Sequence, residues 1–399
     1  MSDEDAEDAL YERAMALHAE HRGKISVELR APLESRDDLS LAYSPGVAGP
    51  CRAIAQDAAR ARDLTVAGRS VAVVTDGSAV LGLGDIGPAA AMPVMEGKAA
   101  LFRRFAGLDA WPICLDAATV GDIVDAVRAI SPGFAGINLE DIAAPGCFEV
   151  EERLQDLGIP VMHDDQHGTA IVLLAALIGA CEVTGRSLSD LTVVIAGAGA
   201  AGTAIAKLMR CVGFSPDRCD PVRDVVICDS RGVIHASRDD LSPQKRAFLE
   251  YTNRSGRTGS VHDALEGADV FIGVSRGGLL GADDVRRMAK DPILFPMANP
   301  DPEIDPDVAR EAGAAVVGTG RSDYPNQVNN VLAFPGVFRG AIDARATSIT
   351  PHMKVAAAVA LAKSVGTPTP ERVLPRPFDE GIAEAVAAAV ADAWEGDGA

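Results

Sequence analysis

The sequence predicts an α/β protein of two domains, each built around parallel strands, with helices at the C-terminus. Two observations support this fold class. Short apolar runs alternate with helical patterns, and the alternation restarts after a long apolar helical run that follows Thr169. A glycine-rich turn between a strand and a helix then opens the second series. We place an N-terminal domain at residues 1–170, a nucleotide-binding domain at 171–335 and the C-terminal helices at 336–399.

The composition limits the class of protein. A chain of 399 residues is long enough for two domains with their own cores. Its hydrophobic content of 48% includes only 4% aromatic residues, which is typical of an α/β protein packed with Ala, Val and Leu. A net charge of -20 repels nucleic acid and anionic membranes, so we expect neither as a partner. No apolar stretch reaches the roughly 18 residues of a membrane helix, and the acidic N-terminus does not resemble a signal peptide.

The cysteine pattern bears on the compartment. The seven cysteines include no C-x-x-C pair. An odd, unpaired set is typical of a reducing environment, and we therefore expect a cytoplasmic protein.

The chemistry-bearing stretch of the first domain is a predicted strand–helix–strand unit. An apolar run at 133–139 ends in Glu140 and Asp141, a helical segment follows at 147–157, and a second apolar run begins at Ile159. A unit of this length is right-handed and its two strands are parallel. The carboxyl ends of both strands should therefore lie at the same edge of the sheet, where ligands of open α/β sheets bind.

Both strands of this unit end in acidic residues. Glu140 and Asp141 follow the first strand, and Asp164 and Asp165 follow the second after His163. Converging carboxylates repel one another unless a cation lies among them, and oxygen ligands favour Mg²⁺ or Mn²⁺. The alternative is that these acids cap the following helices. We predict a metal site and leave the two histidines of this predicted loop out of its ligand set.

The N-terminal region contains a helix and an unusual tyrosine. Residues 3–22 carry Leu10, Ala14 and Leu17 at helical spacing, which predicts an amphipathic helix that packs or forms a subunit interface. We expect a homo-oligomer, with a dimer favoured. Tyr43 lies in a Pro/Gly loop, SLAYSPGVAGP, and its local sequence favours a structural anchor with a hydrogen-bonded hydroxyl.

A buried strand at 71–74 leads into a glycine-rich loop, which suits close approach of a phosphate or carboxylate but also makes simple turns. The helix that follows contains Lys98 among Met95, Ala99 and Phe102. A lysine on an apolar stripe near carboxylates could have its pKa lowered enough to act as a base. A lysine that extends to the surface from an apolar stripe is the alternative.

The second domain opens on TVVIAGAGAAGTAIAKLM, whose glycines at 197, 199 and 202 form G-x-G-x-x-G between a strand and a helix. This context predicts that a dinucleotide pyrophosphate binds at the helix N-terminus. The next strand, 224–228, ends in Asp229 after the hydrophilic insert SPDRCDPVRD. An acidic group there accepts from a ribose 2′-OH and favours NAD, whereas Arg231 keeps NADP open.

Three further strands are predicted at 269–274, 293–297 and 314–317. Asn299, Asn329 and Asn330 follow these strands as neutral donors and acceptors, with turn formation as the alternative. Residues 338–399 are Ala-rich and helical, and no chemistry is identified there.

The motifs together resemble the malic enzyme family, specifically its short bacterial-type members. The resemblance covers roughly Ser40 to Gly340 and rests on motifs that occur in family order, SLAYSPGVAGP, TDGSAVLGLGDIG, MEGKAALFRRFAG, NLEDI, HDDQHGTA, GAGAAG, ANPDPE and QVNNVLAFPG. It implies an N-terminal substrate and metal domain, a Rossmann-type dinucleotide-binding domain and C-terminal helices. It also implies oxidative decarboxylation of (S)-malate to pyruvate with reduction of NAD or NADP, dependent on Mg²⁺ or Mn²⁺.

The resemblance implies a role for each matching residue. Tyr43 would be the general acid and Lys98 the general base. The metal ligands would be Glu140, Asp141 and Asp165, with Asp164 as a supporting group beside them. Asn299 and Asn330 would contact the substrate, and the cofactor would be bound by Gly197, Ala198, Gly199, Ala200, Ala201, Gly202, Asp229 and Asn299.

One departure and three alternatives stay open. Larger eukaryotic relatives hold a substrate carboxylate with an Arg where this chain has Ala79, so the loop backbone, the Asn residues or a partner subunit would have to replace it. A metal-free amino-acid dehydrogenase shares the two-domain plan but does not need four carboxylates. A non-catalytic NAD-binding module would keep the glycine motif, and a malolactic or oxaloacetate-decarboxylating enzyme would use the same site.

Overall fold

A computed structural model describes residues 3–80, 82–214 and 219–396. Leu81 of the glycine-rich loop and residues 215–218 of the hydrophilic insert lie outside the described residues. The chain begins with four helices, α1 (Asp3–His21), α2 (Arg36–Ala42), α3 (Ala48–Gln56) and α4 (Ala61–Leu64). The predicted N-terminal helix is confirmed, but Leu10 and Leu17 are exposed and bury no face against the rest of the described chain.

The first sheet is parallel throughout. Its strands are β1 (Ser70–Thr75), β2 (Asp109–Cys114), β3 (Gly136–Leu139) and β4 (Val161–His163), in the order β2-β1-β3-β4. The connecting helices are α5 (Gly87–Leu101), which continues into a π-helical turn at Phe102–Ala106, α6 (Val120–Ile130) and α7 (Gly146–Leu154). Thr119 caps α6 by accepting from the backbone of Asp122, as its sequence favours. The predicted strand–helix–strand unit is therefore confirmed as β3, α7 and β4.

Helix α8 (Asp164–Thr184) begins earlier than the sequence suggested. Asp164 and Asp165 lie in its first turn rather than in a loop, because acidic side chains there are stabilised by the helix dipole. Of the helices in the described ranges, α8 is the one that is long and apolar enough to cross a membrane, contrary to our expectation. However, 67% of its apolar window is buried inside the fold, which is typical of a core helix.

The second sheet has six strands, β5 (Thr192–Ala196), β6 (Asp224–Asp229), β7 (Gly232–Val233), β8 (Val270–Gly273), β9 (Ile293–Pro296) and β10 (Val316–Val317). Their order is β10-β9-β8-β5-β6-β7, and all neighbours are parallel except β6 and β7. The helices between them are α9 (Ala200–Met209), α10 (Pro243–Ala247), α11 (Val261–Ala264), α12 (Ala282–Arg287) and α13 (Pro306–Glu311). This is the doubly wound arrangement that the glycine motif predicts.

Three C-terminal helices complete the fold: α14 (Phe334–Asp343), α15 (Pro351–Ser364) and α16 (Ile382–Asp392). They pack on one another, and α15 also packs on α8. One continuous apolar cluster includes Val71 and Met162 of the first sheet, Leu173 of α8, Val193 of the second sheet and Phe338 of α14. Helix α8 thus joins the two sheets through a shared core.

The cysteine expectation needs a correction. Cys211 and Cys219, which are eight positions apart, form a disulfide. Their Cα atoms lie 5.9 Å apart, within the range a disulfide requires. The remaining cysteines, at 51, 114, 147, 181 and 228, are free thiols. The cytoplasmic location stays a prediction.

Candidate active site

Parallel pairing of β3 and β4 brings the predicted acidic residues together. Leu139 lies opposite His163 in the sheet, so Glu140 and Asp164 leave neighbouring strand ends. Glu140, Asp141 and Asp165 each offer an oxygen, and these oxygens lie within 4.8 Å of one another. The backbone N–H of Asp141 donates to Oδ2 of Asp165 at 2.8 Å, and Asp141 adopts a φ of 53°. Such a backbone conformation is rare for a non-glycine residue and is often found at functional sites.

The donor set suits a hard divalent cation. Three carboxylates converge, and Asp164 lies beside them with 0% of its surface exposed. Burial raises the pKa of Glu140, although Lys98 opposes the shift, and burial likewise raises the pKa of Asp165. Burial makes their charged forms costly, and one lysine among four acids leaves excess negative charge. The residues therefore fit Mg²⁺ or Mn²⁺, and their roles as ligands stay a prediction.

Lys98 projects from α5 into this acidic cluster. Its Nζ lies 2.8 Å from Oε1 of Glu140 and 2.5 Å from Oδ2 of Asp164, and 4.3 Å from the centre of the Phe334 ring. Burial acts to lower the pKa of Lys98, but Asp164 and Glu140 outweigh it and the pKa is raised. Our expectation of a lowered pKa was wrong for this arrangement of side chains. The sequence predicts that Lys98 lies near carboxylates, but it does not show that Glu140 and Asp164 contact its amine directly.

Two asparagines support the acidic groups. Asn330 donates through Nδ2 to Oδ2 of Asp164 at 2.5 Å, so this oxygen is shared with Lys98. Asn138 donates to Oε2 of Glu140 at 2.9 Å. The structure thus brings the predicted substrate residue Asn330 into the cluster. Asn138 escaped sequence reasoning, although a polar side chain inside the apolar β3 run was a usable signal.

The remaining asparagines lie elsewhere. Asn329 accepts from the backbone N–H of Val331 and caps a short helical turn. Its side chain therefore has the turn-forming role that the sequence analysis gave as the alternative. Asn299 is exposed at the end of β9, and its side-chain amide donates to the carbonyl of Met297 at 3.4 Å. Contact of Asn299 with cofactor or substrate stays a prediction.

The glycine-rich loop after β1 packs against the metal-site backbone. Ala79 donates its N–H to the carbonyl of Asp141 at 3.0 Å, and Ser78 Oγ accepts from the N–H of Ala143 at 2.9 Å. Asp76 accepts from Ser78 and holds that hydroxyl in place. The N–H of Ala79 is therefore already used, which removes it as the anchor of a substrate carboxylate.

A buried polar group joins α7 to α8 behind the acidic cluster. Glu151 accepts from the backbone N–H of His163 and pairs with Nε2 of His167, both at 3.0 Å. Burial opposes its charge, but His167 and the hydrogen bonds lower the pKa of Glu151 to about 2. Sequence reasoning missed Glu151, because it lies on an ordinary charged helix. Its distance in sequence from His163 and His167 does not predict that it contacts them.

Tyr43 is not placed beside Lys98 by this single chain. It is 69% exposed at the end of α2, and none of the hydrogen bonds among the described residues uses its hydroxyl. The buried, anchored ring that its local sequence favoured is therefore not observed. Its role as general acid stays a prediction.

The second sheet has an open cleft at the edge where the sequence predicts that a nucleotide binds. The glycine turn follows β5, where Gly197 has a φ of +127° and a Cβ on Gly202 would lie 1.9 Å from the Gly197 carbonyl. Gly199 caps α9, whose first residues are Ala200, Ala201 and Gly202. An open cleft of about 840 Å³ at this edge is lined by Gly197, Ala198 and Asp229, and also by Arg231 and Lys245. Arg231 was identified from the sequence, whereas Lys245 was missed because it lies 16 positions after Asp229 and outside the motif.

A carboxylate cluster with a buried lysine in one domain and a dinucleotide cleft in the other define a two-domain, nucleotide-dependent dehydrogenase class. Residues 166–394 match the family profile described as "Malic enzyme, NAD binding domain", and residues 22–122 match "Malic enzyme, N-terminal domain". The chain belongs to the malic enzyme family.

Individual relatives agree with this assignment. The chain is 54% identical to the "Bifunctional malic/malolactic enzyme" of Bacillus subtilis, over 96% of this chain and 93% of the relative. It is 47% identical to the "NADP-dependent malic enzyme" of Halomonas elongata, over 97% and 94% of the two chains. The crystal structure of the NAD-dependent malic enzyme from Thermotoga maritima superposes with a TM-score of 0.90 at 45% identity, covering 95% of this chain and 98% of that one.

Proposed function

We propose that the protein oxidatively decarboxylates (S)-malate to pyruvate and CO₂, using a nicotinamide cofactor and Mg²⁺ or Mn²⁺. The observation that carries the proposal is the contact of Lys98 with Glu140 and Asp164 beside the three converging carboxylates. An acid/base group and a cation site are both needed for this reaction, and the nucleotide cleft supplies the place for a hydride acceptor. The activities for which the relatives are named support the same reaction.

Glu140, Asp141 and Asp165 would hold the cation, with Asp164 beside them. When bound, the cation would supply Lewis-acid stabilisation of negative charge on the substrate oxygens, and the nicotinamide cofactor would supply a hydride acceptor. Glu140 and Asp164 keep the Lys98 amine aimed at the site, and the Phe334 ring shields it from water. The protein thereby orients a proton-exchanging group before substrate arrives.

Lys98 would take the proton of the C2 hydroxyl as the hydride leaves, which converts malate to oxaloacetate. Breaking the C3–C4 bond then releases CO₂ and leaves the enolate of pyruvate, which needs one proton at C3. Tyr43 would deliver that proton. Asp164 and Glu140 raise the pKa of Lys98 and favour its protonated form, which donates when the reaction runs towards malate. A cation held by Glu140 would offset part of that negative charge and favour the unprotonated amine that acts as the base.

A homodimer would bring Tyr43 of one subunit to the acidic cluster of the other. Of the 20 exposed large hydrophobic side chains among the described residues, 12 lie between Leu10 and Val47. Such a concentration of apolar surface is typical of a protein interface, and an isologous dimer would use it twice. We therefore propose a second copy of this chain as the occupant, with Tyr43 of each subunit facing the acidic cluster of its partner.

Absorbance of NADH or NADPH tests the activity directly. Malate, either cofactor and Mn²⁺ should give reduced cofactor and pyruvate in equal amounts, and a chelator should abolish both. Binding of a dinucleotide without any turnover would instead support the non-catalytic module. Metal-independent oxidation of an amino acid would support the amino-acid dehydrogenase.

Malolactic activity is a second candidate, because the Bacillus subtilis relative is named for both reactions. The two reactions differ in their products. Lactate formed without net reduction of the cofactor would support the malolactic reaction, whereas pyruvate with reduced cofactor supports the main proposal.

A further inference from the structure

Glu151 on α7 holds both ends of the first turn of α8 with a single carboxylate. Its Oε1 accepts from the backbone N–H of His163 at 3.0 Å, and its Oε2 pairs with Nε2 of His167, also at 3.0 Å. His163 directly precedes α8 and His167 is the fourth residue of that helix, so the two contacts lie about one helical turn apart. Together they fix both the height and the rotation of this turn relative to α7.

The start of α8 lies at the edge of the first sheet. β4 is the last strand of that sheet, and no further strand of the described chain pairs with its outer side. His163 is the N-cap residue of α8, but its side chain makes no capping hydrogen bond with a described residue. Buried N–H groups at a sheet edge and at the start of a helix need acceptors. Glu151 supplies one at the point where β4 meets α8, and its own side chain is only 14% exposed.

The turn that Glu151 holds carries Asp164 and Asp165. Asp165 is one of the three converging carboxylates, whereas the other two, Glu140 and Asp141, follow β3. The distance between the third carboxylate and the first two therefore depends on where the first turn of α8 lies. A misplacement of about 1 Å is enough to weaken a functional site severely. Glu151 is not one of the converging carboxylates, so its effect on them would pass through α8.

We propose that Glu151 is a positioning residue for the metal site, which holds Asp165 beside the other two carboxylates through its contacts with His163 and His167. The inference rests on the proposed function, because that function requires the cation. A purely structural role would lower the stability and leave the metal affinity of the folded protein unchanged. A positioning role lowers the metal affinity of a protein that is still folded. The fold should survive loss of the contact, because most of α8 is buried in the core shared by the two sheets.

Binding of Mn²⁺ to two variants of Glu151 tests the proposal without turnover. Glu151→Leu removes both acceptor oxygens and keeps a side chain of similar size. Its dissociation constant for Mn²⁺, measured by electron paramagnetic resonance well below the melting temperature, should rise about 10–100-fold, as for other residues that support metal ligands. Glu151→Gln keeps one acceptor for the N–H of His163 and an amide that can bond the ring of His167. It should therefore stay within about three-fold of the wild type.

Glu152→Leu is the matched control, because it makes the same change at the next, exposed position of α7. It should bind Mn²⁺ as the wild type does. If Glu151→Leu does not fold, judged by circular dichroism, two variants of His167 decide the matter. His167→Leu removes the partner of Glu151 and should weaken Mn²⁺ binding about 10-fold, whereas His167→Gln keeps an N–H donor and should bind as the wild type does.

Three results would overturn the positioning role: wild-type affinity in a folded Glu151→Leu, equal weakening by Glu151→Leu and Glu151→Gln, or wild-type affinity in His167→Leu. Each of them leaves the metal site and the oxidation of malate intact. Weaker Mn²⁺ binding by Glu151→Leu in a protein that does not turn over malate contradicts the proposed function alone. A wild type that binds no Mn²⁺ contradicts both, because it removes the metal site.

Discussion

Nζ of Lys98 lies 2.5 Å from Oδ2 of Asp164, and both side chains are buried. The contact joins α5 to the first turn of α8, where Asp165 is turned towards Glu140 and Asp141. An acid/base group and a cation site therefore share one set of charges. A substitution at Lys98 should therefore affect metal binding, and a substitution at a metal ligand should affect turnover. Metal affinity and turnover can be measured separately.

Asp165→Asn should weaken binding of Mn²⁺ by about 100-fold or more, because it replaces a charged oxygen ligand by a neutral one. The amide oxygen can still accept from the N–H of Asp141, so the fold should persist. Free Mn²⁺ measured by electron paramagnetic resonance gives the dissociation constant, and circular dichroism checks the fold.

Glu152→Gln is the control for this prediction, because Glu152 is an exposed acid on the same strand–helix–strand unit. It should bind Mn²⁺ as the wild type does. An unchanged dissociation constant in Asp165→Asn would remove Asp165 from the ligand set and leave it as a first-turn residue of α8.

Lys98→Gln should reduce malate oxidation by about 10²–10⁴-fold, which is the contribution of a positioned acid or base. Removing the positive charge of Lys98 also leaves Glu140 and Asp164 without their charge partner. The variant should therefore melt at a lower temperature. The rate of cofactor reduction at saturating malate separates the two effects, provided it is measured well below the melting temperature. Lys363→Gln, at an exposed lysine of α15, should change neither quantity.

The Asp229 ion pairs predict an acid-sensitive part of the stability. Burial opposes the charge of Asp229, but the hydrogen bonds from Arg238 and Lys245 lower its pKa from 3.8 to about 2. A carboxyl whose pKa is lowered on folding stabilises the protein above its unfolded pKa and loses that effect as the pH falls. Above pH 5 it should contribute about 2 kcal/mol to the free energy of unfolding, and roughly half should be lost by pH 3.

Urea unfolding of the wild type and Asp229→Asn at pH 5 and pH 3 measures this contribution as the difference between the two proteins. Asp239→Asn, which changes an exposed neighbour, should show no such dependence on pH. A difference between wild type and Asp229→Asn that stays constant from pH 5 to pH 3 would contradict the lowered pKa.

The parallel arrangement of β3 and β4 and the acidic edge could be predicted because they depend on local patterns. Apolar runs that end in Glu140 and in Asp164 dictate parallel strands with their acids at one edge, and β3 and β4 pair in this way. The glycine spacing likewise predicts the turn after β5, because a Cβ on Gly202 would collide with the Gly197 carbonyl. These features need no knowledge of distant contacts.

Features set by distant contacts could not be predicted. The charge state of Lys98 depends on Asp164, which is 66 positions away. The pKa of Asp229 depends on Arg238 in a later loop and on Lys245 in α10. A burial argument alone lowers the pKa of a lysine, whereas Asp164 and Glu140 raise the pKa of Lys98. A motif alone assigns Asp229 to a ribose but does not show that its carboxylate accepts from Arg238 and Lys245; the ribose contact stays a prediction.

The position of Tyr43 leads to the most demanding prediction. One chain leaves it 69% exposed on an apolar N-terminal region, so the proposed dimer requires that Tyr43 serve the Lys98 of the partner. Tyr43→Phe should still oxidise malate to oxaloacetate but should fail to exchange the methyl protons of pyruvate in D₂O. That exchange needs the C3 proton transfer without net oxidation or decarboxylation, so normal exchange would exclude Tyr43 as the acid.

Hybrid dimers then distinguish a shared site from a self-contained one. In a dimer of one Tyr43→Phe and one Lys98→Gln subunit, a shared arrangement leaves one site with both native residues and the other with neither. Random mixing of two inactive variants should then restore about a quarter of the wild-type pyruvate formation, because half of the dimers are hybrids with one working site. If Tyr43 acts on the Lys98 of its own chain, each site of the hybrid lacks one residue. No activity would then return at any mixing ratio, and the exposed tyrosine would have to reach its own cluster by a movement of the N-terminal region.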